Sequence, residues 1–189
     1  DGSESEMCGN GIRCVAKYLH DHGLCREDSL RIETGAGVLT LALEVKGGKV
    51  ERVRVDMGPP VLQPALIPAA FGGERVVDAP LEVDGRRLLV TCVSMGNPHC
   101  VTFVDSVERY PVEKIGPEIE NHPSFPQRTN VEFVEVLGDK EVNMRVWERG
   151  LGVTLACGSG ACAAAVGILA SSPLSSTNCT PSARCWRAR

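Results

Sequence analysis

Residues 157–160 read Cys-Gly-Ser-Gly, and residues 8–11 read Cys-Gly-Asn-Gly. Each follows an apolar residue (Ala156 and Met7), opens a stretch rich in Ala, Val, Ile and Leu, and has a second cysteine close behind it, Cys162 and Cys14. A single such turn reads most simply as a strand-to-helix junction with a packed cysteine. Two copies in matching contexts predict a duplicated fold that brings two thiols face to face.

Behind the first copy, Ile12, Val15, Ala16 and Leu19 recur at i, i+3, i+4 and i+7, one apolar face of a helix that Gly23 stops. Strand patterning follows from Leu30 to Val45, broken by Gly35-Ala36-Gly37, and again over Val50, Val53 and Val55 after the hairpin signal Gly47-Gly48. Met57-Gly58-Pro59-Pro60 and the proline-spaced stretch to Pro80 mark the domain boundary. Beyond it come strands at Leu81–Val83, Leu88–Val93, Cys100–Val104, Asn130–Leu137 and Val142–Trp147. Asp84-Gly85 is a turn, Ser94–His99 a loop, Val112–Glu120 a helix, and a last helix runs from about Ala161 to Leu169. The expected organisation is a first domain over 1–58, a second over 59–170, and a tail over 171–189 whose Ser, Pro, Thr, Cys and Arg show no periodicity. That tail is expected to be disordered.

Composition narrows the function classes. The chain has 189 residues, 43% hydrophobic and 23% charged, with a net charge of −4. Nucleic-acid binding would want a basic face, and no run approaches the roughly 18 apolar residues of a membrane span. Nine cysteines without a C-x-x-C spacing argue against zinc ribbons and thioredoxin-like motifs. Reduced thiols in a reducing compartment are expected.

A cysteine at a helix N-terminus lies in a positive partial field, which favours the thiolate and lowers the pKa. The free N–H groups there suit a carboxylate, and the glycines let the backbone approach it closely. Two such turns facing each other would give one carboxylate two sets of donors and place a sulfur on each side of its α-carbon. One thiol must then be ionised and the other protonated, so their titrations are coupled. These are the parts for racemisation without a cofactor.

Asp1-Gly-Ser-Glu-Ser-Glu-Met-Cys-Gly-Asn-Gly-Ile-Arg-Cys14 resembles the first active-site signature of the diaminopimelate epimerase family. Ser94-Met-Gly-Asn-Pro-His99, Arg128-Thr-Asn-Val-Glu-Phe133 and Glu148-Arg-Gly…Thr154-Leu-Ala-Cys-Gly-Ser-Gly-Ala-Cys162 are similar to its remaining signatures, in the same order. The resemblance covers residues 1 to about 170. It implies an α/β (α+β) fold of two pseudo-symmetric domains, each a curled mixed sheet or barrel around a central helix, with the site in the cleft between them. It implies Cys8 and Cys157 as the acid/base pair interconverting LL- and meso-diaminopimelate, in lysine biosynthesis, with no metal and no pyridoxal phosphate. Gly9, Asn10, Gly158 and Ser159 would hold the reacting carboxylate. Asn97, Asn130 and Arg149 would read the distal amino-acid end, Arg149 as a bidentate clamp. His99 and Glu148 would contact the reacting centre and assist the thiols.

Other readings stand beside these. His99 could be an ordinary loop histidine, Asn97 a turn residue, Asn130 a strand start, and Glu148-Arg149 a solvated pair. Cys14, Cys92, Cys100 and Cys162 read as packed thiols and Cys25 as a surface one. Family members carry a further N-terminal stretch supplying Asn, Gln and Asn, Leu151 and Val153 replace small and often acidic residues, and the pattern departs after Gly167. The 189-residue chain is therefore expected to be impaired. Alternatives are a proline or hydroxyproline racemase and a thiol redox or metal-binding protein. The expected partner is a small-molecule substrate, with no nucleic acid or membrane; a homodimer is one option. The expected compartment is the cytoplasm, or the plastid stroma had a transit peptide preceded the chain.

Overall fold

The computed structural model describes residues 7–138, 141–171 and 187–188. The chain divides into two compact units, Asp1–Pro59 and Pro60–Arg189.

In the first unit, helix α1 (Gly9–Asp21) precedes an antiparallel sheet of β1 (Ser29–Thr34), β2 (Gly37–Lys46) and β3 (Lys49–Asp56), in the order β1-β2-β3. Gly47 and Gly48 both take positive φ, at 58° and 77°, which the tight two-residue link between paired Lys46 and Lys49 requires. Ile12 and Ala16 of α1 pack against Leu30, Leu41, Leu43 and Val50. Asp21 fastens the end of the helix: its Oδ1 accepts from the Val50 N–H at 2.8 Å and its Oδ2 from Lys17 Nζ at 2.8 Å. Val15 departs from the apolar stripe expected of it and is 47% exposed, and Cys14 is exposed rather than packed. The core of this unit is built on the Ile12 and Ala16 side of the helix, and these two residues lie away from it.

The second unit carries a seven-stranded mixed sheet. Its strands are β4 (Ala79–Val83), β5 (Arg86–Ser94), β6 (Pro98–Phe103), β7 (Asn130–Gly138), β8 (Glu141–Glu148), β9 (Gly152–Thr154) and β10 (Arg187–Ala188). The order is β10-β8-β7-β6-β5-β4, with β9 also paired to β8. Asp84-Gly85, with φ of 51° and 69°, turns β4 into β5. The chain leaves β6 through helix α2 (Val112–Glu120) and returns as β7, parallel to β6.

α2 and the C-terminal helix α3 (Gly158–Ala170) cover the sheet. Val112, Ile115 and Ile119 of α2 join Val90, Cys92, Cys100, Val131 and Phe133 in one core. α2 meets β8 at Gly116, where an added Cβ would lie 2.6 Å from Trp147 Cγ. α3 meets β6 at Gly167, where a Cβ would lie 3.1 Å from Val101 Cγ1. Cys100 and Val101 point to opposite sides of the strand, so the two helices occupy opposite faces. Residues 130–134 of β7 are consequently all buried, polar and apolar alike.

The expected loop at Ser94–His99 is shorter in the structure. β5 runs to Ser94 and β6 begins at Pro98, so His99 is a strand residue with no exposed surface. α3 begins at Gly158 rather than near Ala161, because Cys157 caps it. Of the tail, Ser171 is buried and Arg187–Ala188 run parallel to β8 at Glu141–Val142; the remainder lies outside the described residues. Among the described residues no helix is long and apolar enough to cross a membrane.

Candidate active site

Both Cys-Gly-x-Gly turns are helix N-caps. Cys8 caps α1 in an extended conformation (φ −127°, ψ 104°), and its Sγ accepts from the Gly11 N–H at 3.3 Å. Cys157 caps α3 (φ −125°, ψ 115°), and its Sγ accepts from the Gly160 N–H at 3.3 Å. In each, the capping sulfur takes the N–H of the second glycine, Gly11 or Gly160, and the N–H groups ahead of it, which have no acceptor one turn back along the helix, point the way an anion would approach. Gly9 is half-buried, and the Asn10 side chain accepts from Arg13 Nη2.

The two thiols differ in environment. Cys8 is exposed, whereas Cys157 is 8% exposed. Burial pushes the Cys157 thiol up to about 11, aided by the charges of Glu132 and Glu148, against the lowering effect of hydrogen bonds from Ser159 and Gly160. The lowered cysteine pKa expected at a helix N-terminus is not met at Cys157, because desolvation there outweighs the hydrogen bonds from Ser159 and the Gly160 N–H.

The second unit brings most of the remaining candidates together. His99 Nε2 lies 2.9 Å from Asn97 Oδ1, and its Nδ1 lies 2.7 Å from Glu132 Oε1. Asn130 bridges two motifs: its Nδ2 donates to the Pro98 carbonyl at 2.8 Å and its Oδ1 accepts from the Arg149 N–H at 2.9 Å. The Arg149 guanidinium donates to the Gln127 carbonyl at 3.3 Å. Glu148 accepts from the Thr154 hydroxyl, and Ser159 Oγ lies 3.5 Å from Cys157 Sγ. Gly158, at the first position of α3, is half-buried.

Two acids escaped the sequence reading. Glu132 is wholly buried on β7, and its Oε1 lies where a Cβ on Gly160 would approach within 2.7 Å. Glu120, 5% exposed at the end of α2, accepts from Trp147 Nε1 at 2.7 Å and from the Gly150 N–H at 2.8 Å, and pairs with Arg128 at 3.4 Å. It thereby fixes the turn that carries Arg149. The available signal for Glu120 was its place at a helix C-terminus, where a carboxylate is disfavoured unless held by other donors. All described cysteines are free, and Cys92 and Cys100, cross-strand partners on β5 and β6, are buried. Among the described residues no group of three or more His, Cys, Asp or Glu is placed to hold a metal ion.

Helices packed on an antiparallel sheet in one unit and on a mixed sheet in the other define an α+β fold class that is shared with solved proline racemase-type structures. The structure matches a probable proline racemase from Agrobacterium radiobacter K84, solved with bound carbonate, at a TM-score of 0.64 and 16% identity, over 86% of this chain and 52% of that one. It matches a hydroxyproline epimerase from Agrobacterium vitis, solved with trans-4-hydroxy-L-proline, at 0.64 and 18% identity, over 86% and 50%. At these identities the likeness is one of fold.

The sequence itself is more specific. The profile of the diaminopimelate epimerase family matches residues 1–63 and 91–180. The chain is 57% identical over 166 residues to the diaminopimelate epimerase of Moorella thermoacetica, covering 88% of this chain and 60% of that protein. The corresponding figures for the Synechocystis enzyme of that name are 57% over 168 residues, 88% and 59%. The chain belongs to the diaminopimelate epimerase family, and it spans about 60% of the length of these relatives.

Proposed function

We propose that the protein interconverts LL- and meso-diaminopimelate, with Cys8 and Cys157 as a thiol/thiolate pair acting on one α-carbon from opposite sides, in the biosynthesis of lysine. The observation that carries the proposal is the pair of cysteine N-caps, alike in dihedral angles and in the Sγ contact to the third residue on. It is supported by relatives named diaminopimelate epimerase.

In one direction the Cys8 thiolate takes the α-proton and the Cys157 thiol delivers its own to the other face. The carbanion's electron pair accepts that proton, so the stereocentre inverts and the charge moves from one sulfur to the other. A thiol held at about 11 is protonated at neutral pH and suits the donor role. The thiolate it leaves is strongly basic, which suits proton abstraction in the reverse direction. The N–H groups of Gly9, Asn10, Gly158 and Ser159 stabilise the negative charge that spreads onto the reacting carboxylate. Asn97, Asn130 and Arg149 read the distal end, and His99 and Glu148 assist at the reacting centre. No cofactor takes part in this scheme.

The test is to separate LL- and meso-diaminopimelate by chiral chromatography after incubation with the chain, and with a version extended to the relatives' length. Proline serves as the control substrate. Interconversion of diaminopimelate and not of proline is expected. Inversion of proline alone, or of neither by the extended protein, would overturn the proposal.

A further inference from the structure

Glu132 belongs to none of the roles above, yet it is wholly buried and touches His99, which does. Its Oε1 lies 2.7 Å from His99 Nδ1, and neither side chain has exposed surface. Its Oε2 has no hydrogen-bond partner among the described residues. The same Oε1 lies beneath the first turn of α3, where Gly160 is the residue that leaves room for it. On its other side the imidazole meets an amide: Nε2 is 2.9 Å from Asn97 Oδ1.

The donors and acceptors in this row permit few arrangements. Asn97 Oδ1 has no proton to give, so the contact is a hydrogen bond only if Nε2 carries one. Nδ1 and Oε1, at 2.7 Å, need a proton between them as well, whichever atom it is formally bonded to. An ionised carboxylate facing a lone pair on Nδ1 would leave an uncompensated charge in a site without solvent, which is strongly unfavourable. With the shared proton the pair carries no net charge, as full burial demands.

We propose that Glu132 is a positioning residue: by sharing a proton with His99 Nδ1 it fixes the ring with Nε2–H toward Asn97, so that Asn97 turns its NH2 group outward. The row Glu132–His99–Asn97 then sets the polarity that the Asn97 side chain offers. An amide whose oxygen is already engaged presents donors, and it selects a ligand group that accepts, such as a carboxylate. That Asn97 meets the substrate rests on the reading in the preceding subsection; the ring orientation and its dependence on Glu132 do not.

The test is ring nitrogen NMR on the full chain labelled with 15N-histidine, His99 being assigned by a His99→Gln variant. At neutral pH the Nε2 of His99 is expected to show the shift of a protonated nitrogen and a slowly exchanging proton. In Glu132→Ala, with the fold checked by circular dichroism, that proton is expected to exchange at least about tenfold faster and the ring to sample both tautomers. An unprotonated Nε2 in the parent chain would overturn the proposal, and so would a Glu132→Ala spectrum unchanged at His99. Should Glu132→Ala fail to fold, Glu132→Gln replaces it, with loss of the proton shared at Nδ1 expected and an unchanged Nδ1 signal contradicting the proposal. None of these signals depends on turnover. A failure of the diaminopimelate reading therefore shows in the chromatographic assay and leaves them untouched.

Discussion

Cys8 and Cys157 occupy the same position in the same local structure, each an extended N-cap whose sulfur accepts from the backbone N–H three residues on, at 3.3 Å in both. They part company in solvent exposure. Cys8 is open, and Cys157 is buried and held as a thiol up to about 11. Iodoacetamide at pH 8 should therefore alkylate Cys8 faster than Cys157, by about tenfold or more given that the thiolate is the reacting form. Peptide mass mapping over time measures both rates, and equal rates would contradict the assignment.

The two copies also differ in what lies beneath the third glycine-turn position. A Cβ on Gly160 would meet Glu132 Oε1 at 2.7 Å, whereas a Cβ on Gly11 would meet only Cys8, at 3.3 Å from its Sγ. Gly160→Ala is expected to cost about 1–3 kcal/mol in urea unfolding, the range for forcing atoms into a packed site. Gly11→Ala is expected to be near neutral, since alanine gains up to about 1 kcal/mol of helix preference to set against that contact.

Stability should fall at both ends of the pH scale, through different units. Asp21 is lowered to about 2, chiefly by its hydrogen bond from Lys17 and then by that from the Val50 N–H. A depressed carboxylate contributes stability that is complete above its ordinary value of 3.8 and is lost as pH falls through about 2. Cys157 is raised from 9.0 to about 11 by burial, so the unfolded chain releases its proton first and stability declines as pH rises from about 9 to about 11. Amide hydrogen exchange in each unit measures this: Asp21→Asn should flatten the acid limb and Cys157→Ala the alkaline one.

Glu120 gathers Trp147, Gly150 and Arg128 around one carboxylate. Glu120→Ala strands the partly buried indole N–H and frees the backbone of the turn that bears Arg149. The expected loss is about 1–3 kcal/mol of stability, with faster exchange of the Gly150 amide. An unchanged Gly150 exchange rate would show that the turn holds without it.

Much of this was legible in the chain. Gly47-Gly48 and Asp84-Gly85 announce hairpins because few other residues accept positive φ in succession. The repeated cysteine turns announce two helix starts because glycine, cysteine and an apolar run change character together. Glu132 was not legible. Asn-Val-Glu-Phe-Val alternates like a strand with one wet face, and only the later packing of α2 and α3 on opposite sides of β7 makes both faces interior. The raised Cys157 thiol was hidden for the same reason, since a helix N-terminus is a local feature and burial is not. Val15 fits the helical period, but periodicity does not reveal how wide a stripe three strands can cover.

The most direct test of the two-thiol account is proton NMR of LL- and meso-diaminopimelate in deuterated water, with the relative-length protein and its Cys8→Ala and Cys157→Ala variants. Enzyme-dependent loss of the α-proton signal is expected, with overall epimerisation abolished in either variant. Epimerisation that survives the loss of either cysteine would contradict it.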